Sequence, residues 1–95
     1  MKKLISLFAK LEGIELELFN DVYFYKDANG ADVIYNPIAD FALNCKARDE
    51  YGAEVKYEIG HVLVADSDGC NGILTNHKNI NSAVIECILK SKGLL

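Results

Sequence analysis

No G-x-G-x-x-G phosphate cradle, no Walker loop and no G-x-S-x-G nucleophile elbow occurs in these 95 residues, so no standard catalytic signature is present. Proline occurs once, at Pro37, and no Gly/Ser-rich stretch or domain-sized repeat marks a linker. One domain over 1–95 with a single core is expected. A chain of this size buries only roughly two-thirds of its unfolded surface, so a dimer contact would add to its stability. Cysteines number three, at 45, 70 and 87. That odd, widely spaced set makes no disulfide framework and points to reduced thiols in a cytoplasm. Basic residues are sparse: ten Lys and Arg against fourteen Asp and Glu, a net charge of −4. Binding a nucleic-acid backbone needs clustered cations, which argues against that partner. Long apolar runs are also missing. The start Met1-Lys2-Lys3-Leu4-Ile5-Ser6-Leu7-Phe8-Ala9 imitates a secretory signal, but Lys10 ends its apolar stretch after six residues, short of the ~7–15 of a signal core. A cytoplasmic protein with no membrane segment is the expectation.

What is abundant is turn chemistry. Asp-x-x-Gly appears three times, as Asp27-Ala28-Asn29-Gly30, Asp49-Glu50-Tyr51-Gly52 and Asp66-Ser67-Asp68-Gly69. This pattern favours a type I turn followed by a left-handed residue, the three-residue hairpin loop. Each copy sits near β-branched and aromatic residues, which predicts an antiparallel sheet of four to six strands built from consecutive hairpins. Helical spacing of Leu4, Leu7, Phe8 and Leu11, with Ile5 beside them, predicts an N-terminal helix ended by Gly13. Ile80, Ala83, Val84, Cys87 and Ile88 predict a C-terminal helix over 80–92, with Asn79 as N-cap and Gly93 closing it. Both helices are expected to pack on the sheet, giving an α+β fold.

Between them the period is two. Ile14, Leu16, Leu18, Val22 and Phe24 share one parity, on one strand bent at Asn20-Asp21 or on two strands joined there. A three-residue loop at Asp27–Gly30 sets Lys26 opposite Asp32 and Phe24 opposite Ile34. The two-residue alternative would oppose Asp27 to Asp32. Phe41, Leu43, Cys45 and Ala47 alternate with polar residues and match Ala53, Val55, Tyr57 and Ile59 across the second turn, which predicts a hairpin there with Arg48 opposite Glu54. His61–Ala65 does not alternate and reads as a central strand, followed by a short strand at Ile73–Thr75 with His61 opposite Thr75.

Candidate functional residues form three groups. If Val22, Phe24 and Ile34 face the core, Tyr23, Tyr25 and Tyr35 line the opposite face with Val33; tyrosine clusters are enriched at binding hot spots, while two helices are available to cover that face and tyrosine also packs in cores. Carboxylates at Glu12, Glu15, Glu17 and Asp21, and at Asp49, Glu50, Glu54 and Glu58, would meet a basic surface on a protein partner. Most such rows are simply the wet face of a sheet. Cys70 with His77 and His61 holds the raw material of a thiol nucleophile or zinc site, but no ligand spacing of a common zinc site is present and the Asp-x-x-Gly turns lack the donors of a calcium loop. No metal or cofactor is therefore expected, and Cys45 and Cys87 read as core. The leading expectation is a small acidic non-enzymatic protein that binds and inhibits or regulates a protein partner. Its analogues in size and charge are immunity proteins and phage or mobile-element anti-defence proteins such as anti-CRISPR-like inhibitors. The alternatives are a small enzyme or metal site on Cys70, His77 and His61, and a self-associating domain using a homodimer contact through Ile85, Leu89, Leu94 and Leu95 or a sheet edge.

Overall fold

A computed structural model describes residues 2–58, 61–65, 73–75 and 80–95. The chain divides into two compact units, residues 1–36 and 37–95.

In the N-terminal unit, helix α1 (Lys2–Glu12) ends where expected. Gly13 takes the left-handed conformation at φ 71°, donating to Lys10 while Ile14 N–H reaches back to Ala9 O at 2.9 Å, a Schellman closure. The buried line of α1 is Ile5, Phe8 and Ala9, with Leu4, Leu7 and Leu11 half-buried, so the stripe is rotated from the expected one. Strands β1 (Glu17–Phe19), β2 (Val22–Lys26) and β3 (Asp32–Ile34) form an antiparallel sheet in that order. Two strands, not one bent strand, therefore occupy 17–26. Asn20 and Asp21 join them with φ of 49° and 62°. Positive φ at both central residues is the type I′ turn, whose twist suits a two-residue hairpin, and Asn and Asp are the side chains that tolerate it best.

That turn overturns the expected parity. It pairs Phe19 with Val22 and Leu18 with Tyr23, so Leu18 shares the tyrosine face while Phe19 joins Val22 and Phe24. The next hairpin has the expected register, Phe24 with Ile34 and Lys26 with Asp32. Its loop is built by the Asp27 carboxylate, which accepts from Asn29 N–H at 2.8 Å and Ala31 N–H at 2.9 Å. Gly30 closes it at φ 79°.

In the C-terminal unit the main correction is at 41–51. The strand and hairpin expected there are a helix, α2 (Phe41–Tyr51). Asp40 caps it, its carboxylate accepting from Ala42 N–H at 3.0 Å and Leu43 N–H at 3.3 Å. Gly52 ends it in the left-handed region at φ 66°, and both Gly52 and Ala53 donate to Arg48 O. The second Asp-x-x-Gly is thus a helix terminus, because a left-handed glycine serves a helix C-cap as well as a hairpin bulge. Ala42, Leu43, Lys46, Ala47, Arg48 and Glu50 are good helix formers. The strand reading also misplaces burial: Phe41 is 63% exposed, whereas Asn44, assigned to the wet face, is fully buried.

Strand β4 (Glu54–Glu58) consequently pairs with β5 (His61–Ala65), Val55 opposite Val64 and Glu58 opposite His61. The expected pairs of Ala47 with Val55 and Arg48 with Glu54 do not form. β5 is central, as its unbroken apolar run predicts, and its other neighbour is β6 (Ile73–Thr75). Val62, not His61, lies opposite Thr75. Among the described residues the six strands fall into two three-stranded antiparallel sheets, not one sheet of four to six.

Helix α3 (Ile80–Ser91) packs against α2 and against β5 and β6. Two neighbours explain why its apolar surface is wider than one sheet face requires. Ala83, Val84, Ile85, Cys87, Ile88 and Leu89 are all fully buried, each of the larger ones contributing about 1.5–3 kcal/mol. Ile85 and Leu89 are consumed inside the unit and are not on its surface; of the four residues expected to form a self-association surface, Leu95 is exposed and Leu94 half-buried. The Asn79 cap lies outside the described residues, and Gly93 closes α3 as expected.

α2 is joined to α3 through polar groups. Asn44 Nδ2 donates to Pro37 O at 2.8 Å and to Asn81 O at 3.1 Å. Arg48 Nε and Nη2 donate to the side-chain oxygens of Asn44 and Asn81, each at 3.0 Å. Asn81 Nδ2 returns to Ile38 O at 2.9 Å. Removing Asn44 strands the buried Pro37 carbonyl and one edge of a guanidinium, each worth about 1–3 kcal/mol, and takes a second donor from Asn81 O, which sits within α3. Asn44→Ala should therefore cost about 3 kcal/mol in urea unfolding, against about 1 kcal/mol for Asp40→Ala at the cap. Equal costs for the two would mean that the network does not hold α2 in place.

Candidate functional site

The N-terminal sheet presents two unlike faces, and the type I′ turn decides which residues lie on each. One face carries Leu18, Tyr23, Tyr25, Val33 and Tyr35, the last placed opposite Tyr23 by its N–H bonding Tyr23 O at 2.9 Å. Tyr35 is buried, Tyr23 and Tyr25 are half-buried, and the Tyr25 and Tyr35 rings meet edge to face with centroids 6.0 Å apart. Two open troughs border this side. One, of about 440 Å³, is lined by Gly13–Glu17 with Tyr25 and Lys26. The other, of about 410 Å³, is lined by Leu7, Ala9 and Lys10 of α1 with Ile14, Leu16 and Tyr23. Four of the expected binding residues, Glu15, Glu17, Tyr23 and Tyr25, are thereby gathered in one unit. Tyr35 lies beneath them.

The opposite face is apolar and open. Phe19 and Ile34 are each 68% exposed and Val22 is 41% exposed, with Phe24 half-buried between them. The expectation that Val22, Phe24 and Ile34 face the core is reversed. Phe19 lies directly opposite Val22, and Phe24 directly opposite Ile34, so the four side chains form one contiguous cluster. Glu17, Lys26 and Asp32 share this face, and Lys26 Nζ bonds Asp32 at 2.7 Å. That hydrogen bond, the Asp32 charge and the nearby Glu17 charge raise the Lys26 ammonium above its ordinary 10.5. The signal for this face was the Asn20-Asp21 pair: read as a two-residue turn, it moves Phe19 to the side of Val22.

The second acidic group is not a row. Asp49 and Glu50 are exposed in the last turn of α2, while Glu54 and Glu58 belong to β4. In the first group, Glu12 is in α1, Glu15 and Glu17 approach and enter β1, and Asp21 sits in the hairpin turn, paired with Lys2. Cys70 and His77 lie outside the described residues; His61 is the first residue of β5. Cys87 is buried in α3, as its core reading predicts, and Cys45 is half-buried in α2. Among the described residues no group of three His, Cys, Asp or Glu is placed to hold a metal ion, and no helix is long and apolar enough to cross a membrane. No family model matches the chain, and neither a curated protein nor a solved structure does.

The Lys2–Asp21 pair ties the tip of the β1–β2 hairpin to the start of α1. The Lys2 hydrogen bond, and then its charge, hold the Asp21 carboxyl below its ordinary 3.8. A depressed carboxyl contributes stability that is complete above the unfolded value and is lost as pH falls through the folded one. Both groups are exposed, so that contribution is small and screened by salt. An NMR titration should give Asp21 a midpoint below 3.8, and Lys2→Met should return it toward 3.8. An unchanged midpoint in the variant would show that the pair does not form in solution.

Proposed function

We propose that this protein acts by contact, binding a protein partner and inhibiting or regulating it, and that the contact surface is the apolar face of the N-terminal sheet. One observation carries the reading: Phe19, Val22 and Ile34 stand open on one side of a three-stranded sheet around Phe24. Together they leave on the order of 300 Å² of apolar surface in water, the scale of the largest patch on an ordinary monomer, and such patches commonly mark interaction sites. Aromatic and aliphatic side chains ringed by charged ones are also the anatomy of an interface core and its rim. The acidic balance of the chain, −4 overall, supports a partner with a basic surface.

The double variant Phe19→Ser, Ile34→Ser removes two mostly exposed side chains and their pairs with Val22 and Phe24, so its unfolding free energy should fall by no more than about 2 kcal/mol. Affinity capture from a host lysate should then lose the partner that the parent chain retains. Retention of the partner by this variant, with loss on Tyr23→Ser, would move the contact to the tyrosine face.

A further inference from the structure

We infer that the apolar face receives a segment of a partner protein that carries a large apolar side chain flanked by lysine or arginine; this rests on the face being the contact surface. The charges around the cluster are unequal. Lys26, the one cation paired into the sheet on this face, already bonds Asp32. Glu17 stands directly opposite Phe24, on the β1 side of the cluster, and Glu15, exposed, precedes it by two residues. The β1 border of the patch is therefore carboxylate, set next to the ring at its centre. A cation entering beside an apolar anchor would meet Glu17 where neighbouring side chains have displaced water, and there a charge pair gains most.

A second copy of the chain fits this face poorly. A two-fold stacking centred on Phe24 with its axis along the strands sets Lys26 over Lys26 and Glu17 over Ile34. With the axis across the strands it sets Glu17 over Glu17 and Lys26 over Val22. The like-charge pair then sits on the axis itself, and the isologous contact repeats the other mismatch twice.

The test titrates the isotope-labelled full-length chain by NMR with two twelve-residue peptides of identical Leu and Phe spacing, one flanked by lysines and one by glutamates. The lysine peptide should bind about tenfold more tightly at low salt, the equivalent of about 1.4 kcal/mol, and should shift amides of 17–19, 22–24 and 34. Ile34→Ser should weaken it about tenfold, and Glu17→Lys should bring the two peptides within about twofold of each other. Equal binding of both peptides on these amides would overturn the basic-partner inference and leave the contact face standing. Shifts confined to Ile14, Leu16, Tyr23 and Tyr25 would overturn both. Binding of neither peptide at about 1 mM, or a micromolar dimer that Ile34→Ser dissociates in sedimentation equilibrium, would overturn the inference.

Discussion

The C-terminal unit depends on one buried amide. Asn44 uses both Nδ2 hydrogens and its Oδ1, bonding Pro37 O, Asn81 O and Arg48 Nε at once. Arg48 then spans from Asn44 to Asn81, and Asn81 closes the circuit on Ile38 O. Three side chains and three backbone carbonyls thus satisfy one another where α2 meets α3. Such a network is worth having only when complete, since a buried amide with a missing partner costs more than an apolar replacement would. It also dictates register: α2 cannot rotate or slide on α3 without breaking several bonds together. A half-buried arginine is compatible with this because its guanidinium meets neutral oxygens on one edge and the Phe41 ring, 5.4 Å from Cζ, on its face.

The helix ends of both units repeat one device. Gly13 and Gly52 stand at positive φ immediately after a helix and Gly93 one residue further on, and in each case the residue that follows donates back across the last turn. The sequence Asp-x-x-Gly therefore has two structural meanings. At Asp27–Gly30 the aspartate side chain collects the loop amides and a hairpin results. At Asp49–Gly52 the aspartate is an exposed helical residue and only the glycine matters. What separates the two cases is upstream: a capping aspartate at 40 and a run of helix formers precede the second, and a strand precedes the first.

In the N-terminal unit a two-residue turn decides the chemistry of both sheet faces. Had the parity run unbroken through Asn20-Asp21, Leu18 would share the face of Val22 and Phe24, and Phe19 that of the tyrosines. With both residues left-handed, Leu18 moves to the tyrosine side and Phe19 completes the exposed apolar cluster. The candidate site was therefore half legible. Glu15 and Glu17 are exposed residues of this unit, but Tyr23 and Tyr25 are half-buried on the side away from the apolar cluster; unbroken parity puts Phe19 on the tyrosine side and Ile34 inward, so neither stands out as a surface residue.

The sequence by itself determined what short-range bonds settle: the helix ends at Gly13 and Gly93, the Asp27 loop with its Lys26–Asp32 register, and the central place of the unbroken apolar run at 61–65. Each rests on a few consecutive residues. Tertiary structure decided whether 41–51 is helix or strand, which partner β4 takes, and where the width of α3 is spent. The reason is reach. Asn44 meets Asn81 across 37 positions of chain, and no local pattern in either segment encodes that a polar side chain, not the alternating Phe41, Leu43 and Cys45, would be the one fully buried.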